Sequence, residues 1–232
     1  MRYDRTIALI GDQQLAKMNS CRIMILGLGG VGGHAAEALA RLGVGKMVLV
    51  DPDIVQETDI NRQIIALDST IGRAKTEVMT ERIKDINPMI EVVSLKELVT
   101  IQNAERLIDL DLDVVVDCID DVPAKTAIIL VCQKRQIAIM SSMGFANKMH
   151  PDLIRIGTLR TTSVCPLARA VRTNVRKLGG NLDLSVVYSV EPPITKTNGN
   201  AKLGSVSFVP AVAGMMLAFL VANHIMVGEN QK

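Results

Sequence analysis

The chain has 232 residues, with 26 Lys+Arg against 24 Asp+Glu and a formal net charge of +2. Apolar residues at 48% and charged residues at 22% supply a sizeable core and exclude a disordered or fibrous class. Aromatic residues at 2% argue against a base-stacking platform for single-stranded nucleic acid, and the near-neutral balance excludes a polybasic tail while leaving room for a local basic patch.

The opening, Met1-Arg2-Tyr3-Asp4-Arg5, carries no apolar run, so no secretory signal is expected. The four cysteines stand at 21, 118, 132 and 165, without a Cys-x-x-Cys pair for a metal knuckle or redox couple. A reducing cytoplasm is the expected compartment. Residues 208–227 are apolar over about a spanning length, but they include Pro210, Gly214, Asn223 and His224. They read as a buried helix, in the core or at a subunit interface, and no membrane span is expected.

In chain order, residues 22–26 form a short apolar strand, followed by Gly27-Leu28-Gly29-Gly30-Val31-Gly32-Gly33. Ala35, Ala38, Leu39 and Leu42 then share one helical face, and 46–50 read as a second strand ending at Asp51. That is a βαβ unit with parallel strands and a right-handed crossover. Residues 52–72 read as a loop with short helical pieces. A helix follows over Lys75 to Ile86, stopped by Asn87-Pro88. A strand over 90–95, a helix over 103–110 and a buried strand over 113–119 come next. Helix 123–134 and strand 137–141 complete the pattern. Strands over 153–159 and 184–190 flank a basic helix, and 192–205 read as a flexible loop. The expected fold is α/β: a doubly wound, Rossmann-like, mostly parallel sheet with a C-terminal mixed or antiparallel extension. One domain is expected over 1–232, divided into an N-terminal arm (1–20), a nucleotide-binding core (21–145) and the extension (146–232).

Gly27-x-Gly29-x-x-Gly32, after a strand and before a helix, matches a dinucleotide fingerprint: glycines let phosphate oxygens approach backbone N–H groups at a helix N-terminus. Asp51, 24 positions beyond Gly27, can accept ribose hydroxyls. Alone, the fingerprint would suggest NAD. Asn61-Arg62-Gln63, Gly72-x-Ala74-Lys75 and Asp117-x-x-Asp120 point instead to a nucleoside triphosphate. Arg62 and Lys75 can neutralise charge on phosphates, and Asp120 can hold Mg²⁺, which favours carboxylate and phosphate oxygens. Hydride transfer needs none of the three. Singly, each has a plainer role: a loop charge for Arg62, a helix-surface lysine for Lys75, a helix cap for Asp120.

The order of Arg2-Tyr3-Asp4-Arg5, the glycine turn, Asp51-x-Asp53, Asn61-Arg62-Gln63, Gly72-x-Ala74-Lys75 and Asp117-x-x-Asp120 resembles the superfamily of ubiquitin-activating-like adenylating enzymes. The resemblance implies that Gly27, Gly29, Gly30 and Gly32 line ATP phosphates, that Asp51 and Asp53 serve the nucleotide, and that Asp59 and Gln63 support the loop. It further implies that Arg62 and Lys75 contact the triphosphate and that Asp120 binds Mg²⁺. Arg5 resembles an arginine that relatives insert into the partner subunit's site, implying a homodimer. Asn61-Arg62-Gln63-Ile64, Ile86-Asn87-Pro88, Pro166-Leu167-Ala168 and the run Leu203 to Pro210 are most similar to the subgroup of tRNA threonylcarbamoyladenosine dehydratases.

That subgroup implies adenylation of the threonyl carboxylate of threonylcarbamoyladenosine, beside the tRNA anticodon, with loss of pyrophosphate. The carbamoyl oxygen then closes a ring and AMP leaves; such an intramolecular attack has high effective molarity and needs no protein thiol. Activation of a ubiquitin-like sulfur carrier's C-terminal glycine is the competing enzyme reading, and a nucleotide-binding scaffold for sulfur-transfer partners is the non-catalytic one. A tRNA partner asks for a basic surface; no DNA is expected. Arg169, Arg172 and Arg176 share one face of the 166–178 helix, with Lys177 beside them and Arg155 and Arg160 before them. They form a candidate phosphate-tracking stripe, or simply a solvated face.

Overall fold

The computed structural model describes residues 2–108, 111–194 and 203–227. The predicted loop over 192–205 therefore lies partly outside the described residues. The N-terminal arm is a pair of helices, α1 (Asp4–Ile10) and α2 (Asp12–Ser20), hinged at Gly11. Then follow β1 (Arg22–Leu26), α3 (Gly32–Leu42), β2 (Lys46–Val50), α4 (Lys75–Ile86), β3 (Glu91–Leu95), α5 (Ala104–Leu107), β4 (Val114–Asp117), α6 (Val122–Arg135) and β5 (Ala138–Ser142). The chain closes with β6 (Ile154–Thr158), α7 (Pro166–Lys177), β7 (Ser185–Ser189) and α8 (Phe208–Val227).

The seven strands lie in the order β3-β2-β1-β4-β5-β7-β6. All neighbours are parallel except β6 and β7, which pair antiparallel from Ile154 opposite Ser189 to Thr158 opposite Ser185. The period-two alternation of each strand feeds two cores. Ile23 and Ile25 of β1, Met47 and Leu49 of β2, and Val114 and Val116 of β4 join a cluster with α3, α4 and α8. Met24, Leu26, Val48, Val50 and Val115 point the other way, against α5, α6 and α7. This is why the central strands read as continuous apolar runs: both faces are covered.

Two sequence expectations shift. The helix expected over 103–110 holds only from Ala104 to Leu107 among the described residues, because Leu107 and Ile108 turn inward to the core. The fourth strand ends at Asp117, whose carboxylate is buried in an ion pair, instead of running on to residue 119. The apolar 208–227 segment is α8. It buries Val209, Pro210, Ala213, Gly214, Leu217, Ala218, Val221 and Ala222. A Cβ on Gly214 would lie 2.5 Å from the Val31 carbonyl oxygen and 3.1 Å from the Ala35 nitrogen, so α8 packs backbone to backbone on the start of α3. That close packing makes α8 a core helix, although by length and composition it could cross a membrane.

Candidate active site

Strand order reverses between β1 and β4, since β2 and β3 lie to one side and β5 to the other. The crevice outside the carboxyl ends of strands at such a switch is the usual ligand position of an open α/β sheet. Three predicted segments meet there: the glycine turn after β1, Asp51 after β2 and the Asp117–Asp120 loop after β4.

The turn can only be built from glycine at its two ends. Gly27 has φ +85°, and a Cβ there would sit 3.1 Å from the Cys118 carbonyl oxygen. A Cβ on Gly32 would overlap the Gly27 carbonyl oxygen at 1.8 Å. Asp51 holds this turn to β2. Its Oδ2 accepts the Leu28 N–H at 2.6 Å and its Oδ1 the Asp53 N–H at 2.9 Å. Burial pushes the Asp51 carboxyl above the usual carboxylate range, against the opposing pull of those two N–H groups and the Lys75 cation.

On the next loop, Asp59 is the organiser. Its Oδ1 accepts from Gln63 Nε2 at 2.7 Å and from Arg62 Nη2 at 3.3 Å; its Oδ2 accepts from the Gln56 N–H at 3.1 Å and lies 3.9 Å from Lys75 Nζ. Arg62 is held further by the Thr58 carbonyl at 2.8 Å and by Asn61 Oδ1 at 3.0 Å. Lys75, the first residue of α4, is buried and pairs with Asp53 Oδ2 at 2.9 Å. Gln63 reaches the turn: a Cβ on Gly29 would be 3.9 Å from its Nε2, and one on Gly30 would be 3.4 Å from the Arg62 carbonyl oxygen. Asp53 and Asp51 thus tie Lys75 to the glycine turn, and Asp59 ties Arg62 to the same loop within ion-pair reach of Lys75. Pro210 of α8 closes the turn, 3.1 Å from a Cβ on Gly30, a neighbour that the tail's hydrophobicity alone did not reveal.

Beyond β4, Asp117 and Asp120 separate in role. Asp117 is fully buried, 2.9 Å from the equally buried Lys125 Nζ and 2.7 Å from Ser141 Oγ. Lys125 also donates to the Ile119 carbonyl at 2.8 Å. Asp121, not Asp120, caps α6, its Oδ1 accepting from the Ala124 N–H at 2.8 Å. The Asp120 carboxylate is exposed and has no hydrogen bond or ion pair among the described residues, beside the loop that touches Gly27. One free carboxylate beside the glycine turn has the chemistry that would suit Mg²⁺, which is commonly shared between one or two protein carboxylates and substrate phosphates. Lys125 and Ser141 are partners of Asp117 that the sequence reading missed; a Lys in the first turn of an otherwise apolar stretch of helix was the available signal.

Arg5 does not join its own chain's site. Arg2 and Tyr3 are tied to Asn87, at the far end of α4 from Lys75. Twelve residues of helix separate the two ends, about 18 Å. Of the basic residues in the extension, Arg160 pairs with Asp183 at 2.7 Å, Arg155 bonds the Asp152 and Ile154 carbonyls, and Arg172 donates to the Thr162 carbonyl at 2.8 Å. Arg169, Arg176 and Lys177 are exposed along α7.

A glycine turn at the switch point, flanked by Arg62 and Lys75, fits a nucleotide-binding α/β protein of the adenylating class. The chain belongs to the ThiF family, whose model matches residues 3–230. It is 41% identical over 231 residues to the tRNA threonylcarbamoyladenosine dehydratase of Bacillus subtilis, covering 93% of this chain and 91% of that one. It is 36% identical over 197 residues to the Escherichia coli protein of the same name, covering 82% and 74%. The crystal structure of the E. coli tRNA N6-threonylcarbamoyladenosine dehydratase in complex with AMP superposes with a TM-score of 0.93 at 32% identity, over 100% of this chain and 96% of that one. The same enzyme in complex with ATP gives 0.91 at 33% identity, over 97% and 94%.

Proposed function

We propose that the chain dehydrates N6-threonylcarbamoyladenosine in tRNA to its cyclic form at the expense of ATP. The observation that carries this reading is likeness over nearly the whole length of both chains to dehydratases of that name, one of them crystallised with ATP. The site geometry suits the chemistry. The turn from Gly27 to Gly32 would present backbone N–H groups to the phosphates, and Arg62 and Lys75, fixed by Asp59 and Asp53, would meet the charge that grows as the threonyl carboxylate attacks the α-phosphorus. Pyrophosphate leaves in that step. The carbamoyl oxygen then attacks the activated acyl carbon and AMP departs, so that the nucleoside loses one water and the hydrolysis of ATP accounts for it. Asp120 would hold Mg²⁺, which would neutralise charge on the phosphates.

The same reading makes the chain a cytoplasmic homodimer in which Arg5 reaches the partner's crevice. The anchoring of Arg2 and Tyr3 at Asn87 supports the latter, because it holds Arg5 away from its own site. The four free cysteines fit a reducing compartment. A sulfur-transfer protein remains a further candidate partner. Mass analysis of nucleosides from threonylcarbamoylated tRNA incubated with the protein and Mg·ATP tests the proposal. Loss of one water from the modified adenosine is the expected result. Unchanged nucleoside, with pyrophosphate exchange appearing only when a small sulfur-carrier protein is added, would transfer the chain to the competing activity.

A further inference from the structure

A second concave site lies on the same edge of the sheet, two strands from the glycine turn. It is a groove of about 590 Å³ between the loop before α7 and the first turns of that helix. Its volume falls within the usual range of ligand pockets, roughly 300–1,000 Å³. Val164, Pro166 and Ala170 give it an apolar wall, Arg169 and Arg172 give it two guanidinium groups, and no carboxylate lines it. Arg172 is held in place by the Thr162 carbonyl and hydroxyl. The Arg169 guanidinium has no hydrogen bond or ion pair among the described residues, so one cation is fixed and the other is free. At the rim, Val164 has φ +64°, a costly conformation for a β-branched residue and one that clusters at ligand clamps.

The position relative to the reaction follows from the sheet. The start of α7 sits on the end of β5: a Cβ on Gly144 would be 3.4 Å from both Cys165 Sγ and Leu167 Cβ. β5 is two strands from β1, so the strand ends that carry the start of α7 and the glycine turn stand about 10 Å apart at ordinary strand spacing. An anionic unit with a flat apolar face, on the same edge of the sheet as the crevice, is what a neighbouring nucleotide supplies. We propose that this groove holds a nucleotide of the single-stranded anticodon loop adjacent to the modified adenosine, its phosphate on Arg169 and Arg172 and its base against Val164, Pro166 and Ala170. This rests on the proposed function, and it narrows RNA binding from a general basic stripe to one pocket.

The test compares three full-length variants with the wild type for binding of threonylcarbamoylated tRNA across a salt series, with ATP affinity by calorimetry as the check on folding. Arg169→Ala removes the free cation of the groove. Arg176→Ala removes an exposed cation of the same helix outside it. Ala170→Trp fills the groove without changing charge. Arg169→Ala is expected to weaken tRNA binding on the order of tenfold and to lower the salt slope by about 1. Ala170→Trp is expected to weaken binding comparably with the slope nearly unchanged, and Arg176→Ala to have the smallest effect. Equal small losses for the two arginine variants, with Ala170→Trp silent, would overturn the groove and leave only diffuse electrostatics. If the wild type binds tRNA in this groove-dependent way yet removes no water from the modified adenosine, the functional reading fails and the nucleotide site stands.

Discussion

Asp59 shows how much one side chain can set. Its two oxygens take the Gln63 amide, the Arg62 guanidinium and the Gln56 N–H, and they lie within ion-pair reach of Lys75. Arg62 and Lys75 are thereby aimed before any nucleotide arrives, and preorganised charge is worth most in a site that does not have to rearrange. Arg62→Ala and Lys75→Ala are each expected to slow ATP–pyrophosphate exchange by roughly 10²–10³-fold, about 2.7–4 kcal/mol. Asp59→Asn keeps the shape and an acceptor but removes the charge, and is expected to cost on the order of tenfold in the same assay, since the carboxylate that aims Arg62 and Lys75 loses its attraction for them. Near wild-type exchange in the Arg62 and Lys75 variants would remove both from the chemistry. The sequence carried the types and order of these residues, because Lys75 opens a helix and Arg62 and Gln63 fall in a recognisable run, Asn61-Arg62-Gln63, between the second strand and that helix. It did not carry the bonds between them. It named Asp120 as the carboxylate for Mg²⁺ but did not show what Asp117 does; the fully buried Lys125 opposite Asp117 takes that carboxylate and leaves Asp120 the exposed one of the two.

Two of the ion pairs that tie elements together differ sharply in environment. Asp117 and Lys125 join the end of β4 to α6, both fully shielded from water. Removing one member strands the other charge, so Lys125→Met is expected to cost about 3–5 kcal/mol, read as a lower urea midpoint at an unchanged slope. Replacing Asp117 as well, by Val, is expected to recover part of that loss. A Lys125→Met protein as stable as the wild type would mean that the pair contributes nothing. Glu37 of α3, by contrast, pairs with Arg41 on its own helix at 2.8 Å and with Arg82 of α4. Burial pushes its carboxyl up, but the bonds from Arg82 and Arg41 outweigh that and hold it below its ordinary value of 4.5. A carboxyl lowered by folding stabilises the native state above that value and loses the contribution as pH falls through its folded pKa. Acidification below about pH 4.5 should therefore destabilise the wild type more steeply than Glu37→Gln, measured by thermal unfolding across pH. Parallel curves would show that the α3–α4 pair is not what acid breaks. At this scale periodicity located α3, α4, α7 and α8 closely, because each has a continuous apolar stripe or is apolar throughout. It overran at α5, where Leu107 and Ile108 are apolar for the core and not for a helical face.

At the scale of the molecule, Arg5 is the predicted site residue that stands apart from its own chain's crevice. Arg5 sits on α1, whose start is fastened to Asn87 and lies against Gly43, the capping residue of α3; a Cβ on Gly43 would be 3.4 Å from the Tyr3 ring. Both contacts lie at the ends of α3 and α4 remote from the glycine turn and Lys75. A role for Arg5 in catalysis then requires another copy of the chain, and exposed Met215 and Phe219, one turn apart on α8, offer apolar surface that such a copy could cover. The sequence resemblance implied this arrangement, against the alternative that Arg5 acts within its own chain. Subunit mixing separates the two. Arg5→Ala lacks the donated cation and Lys75→Ala lacks a cation of the receiving site. In a mixed dimer, the crevice of the Arg5→Ala subunit keeps its own Lys75 and receives Arg5 from its partner, while the other crevice lacks both. Random reassortment at equal amounts should restore dehydration to about one quarter of the wild-type level, since half the dimers are mixed and each has one complete site. If Arg5 acts within its own chain, no mixed dimer contains a complete site, and the mixture stays as inactive as its components. A protein that sediments as a monomer under turnover conditions would rule out the donated arginine outright.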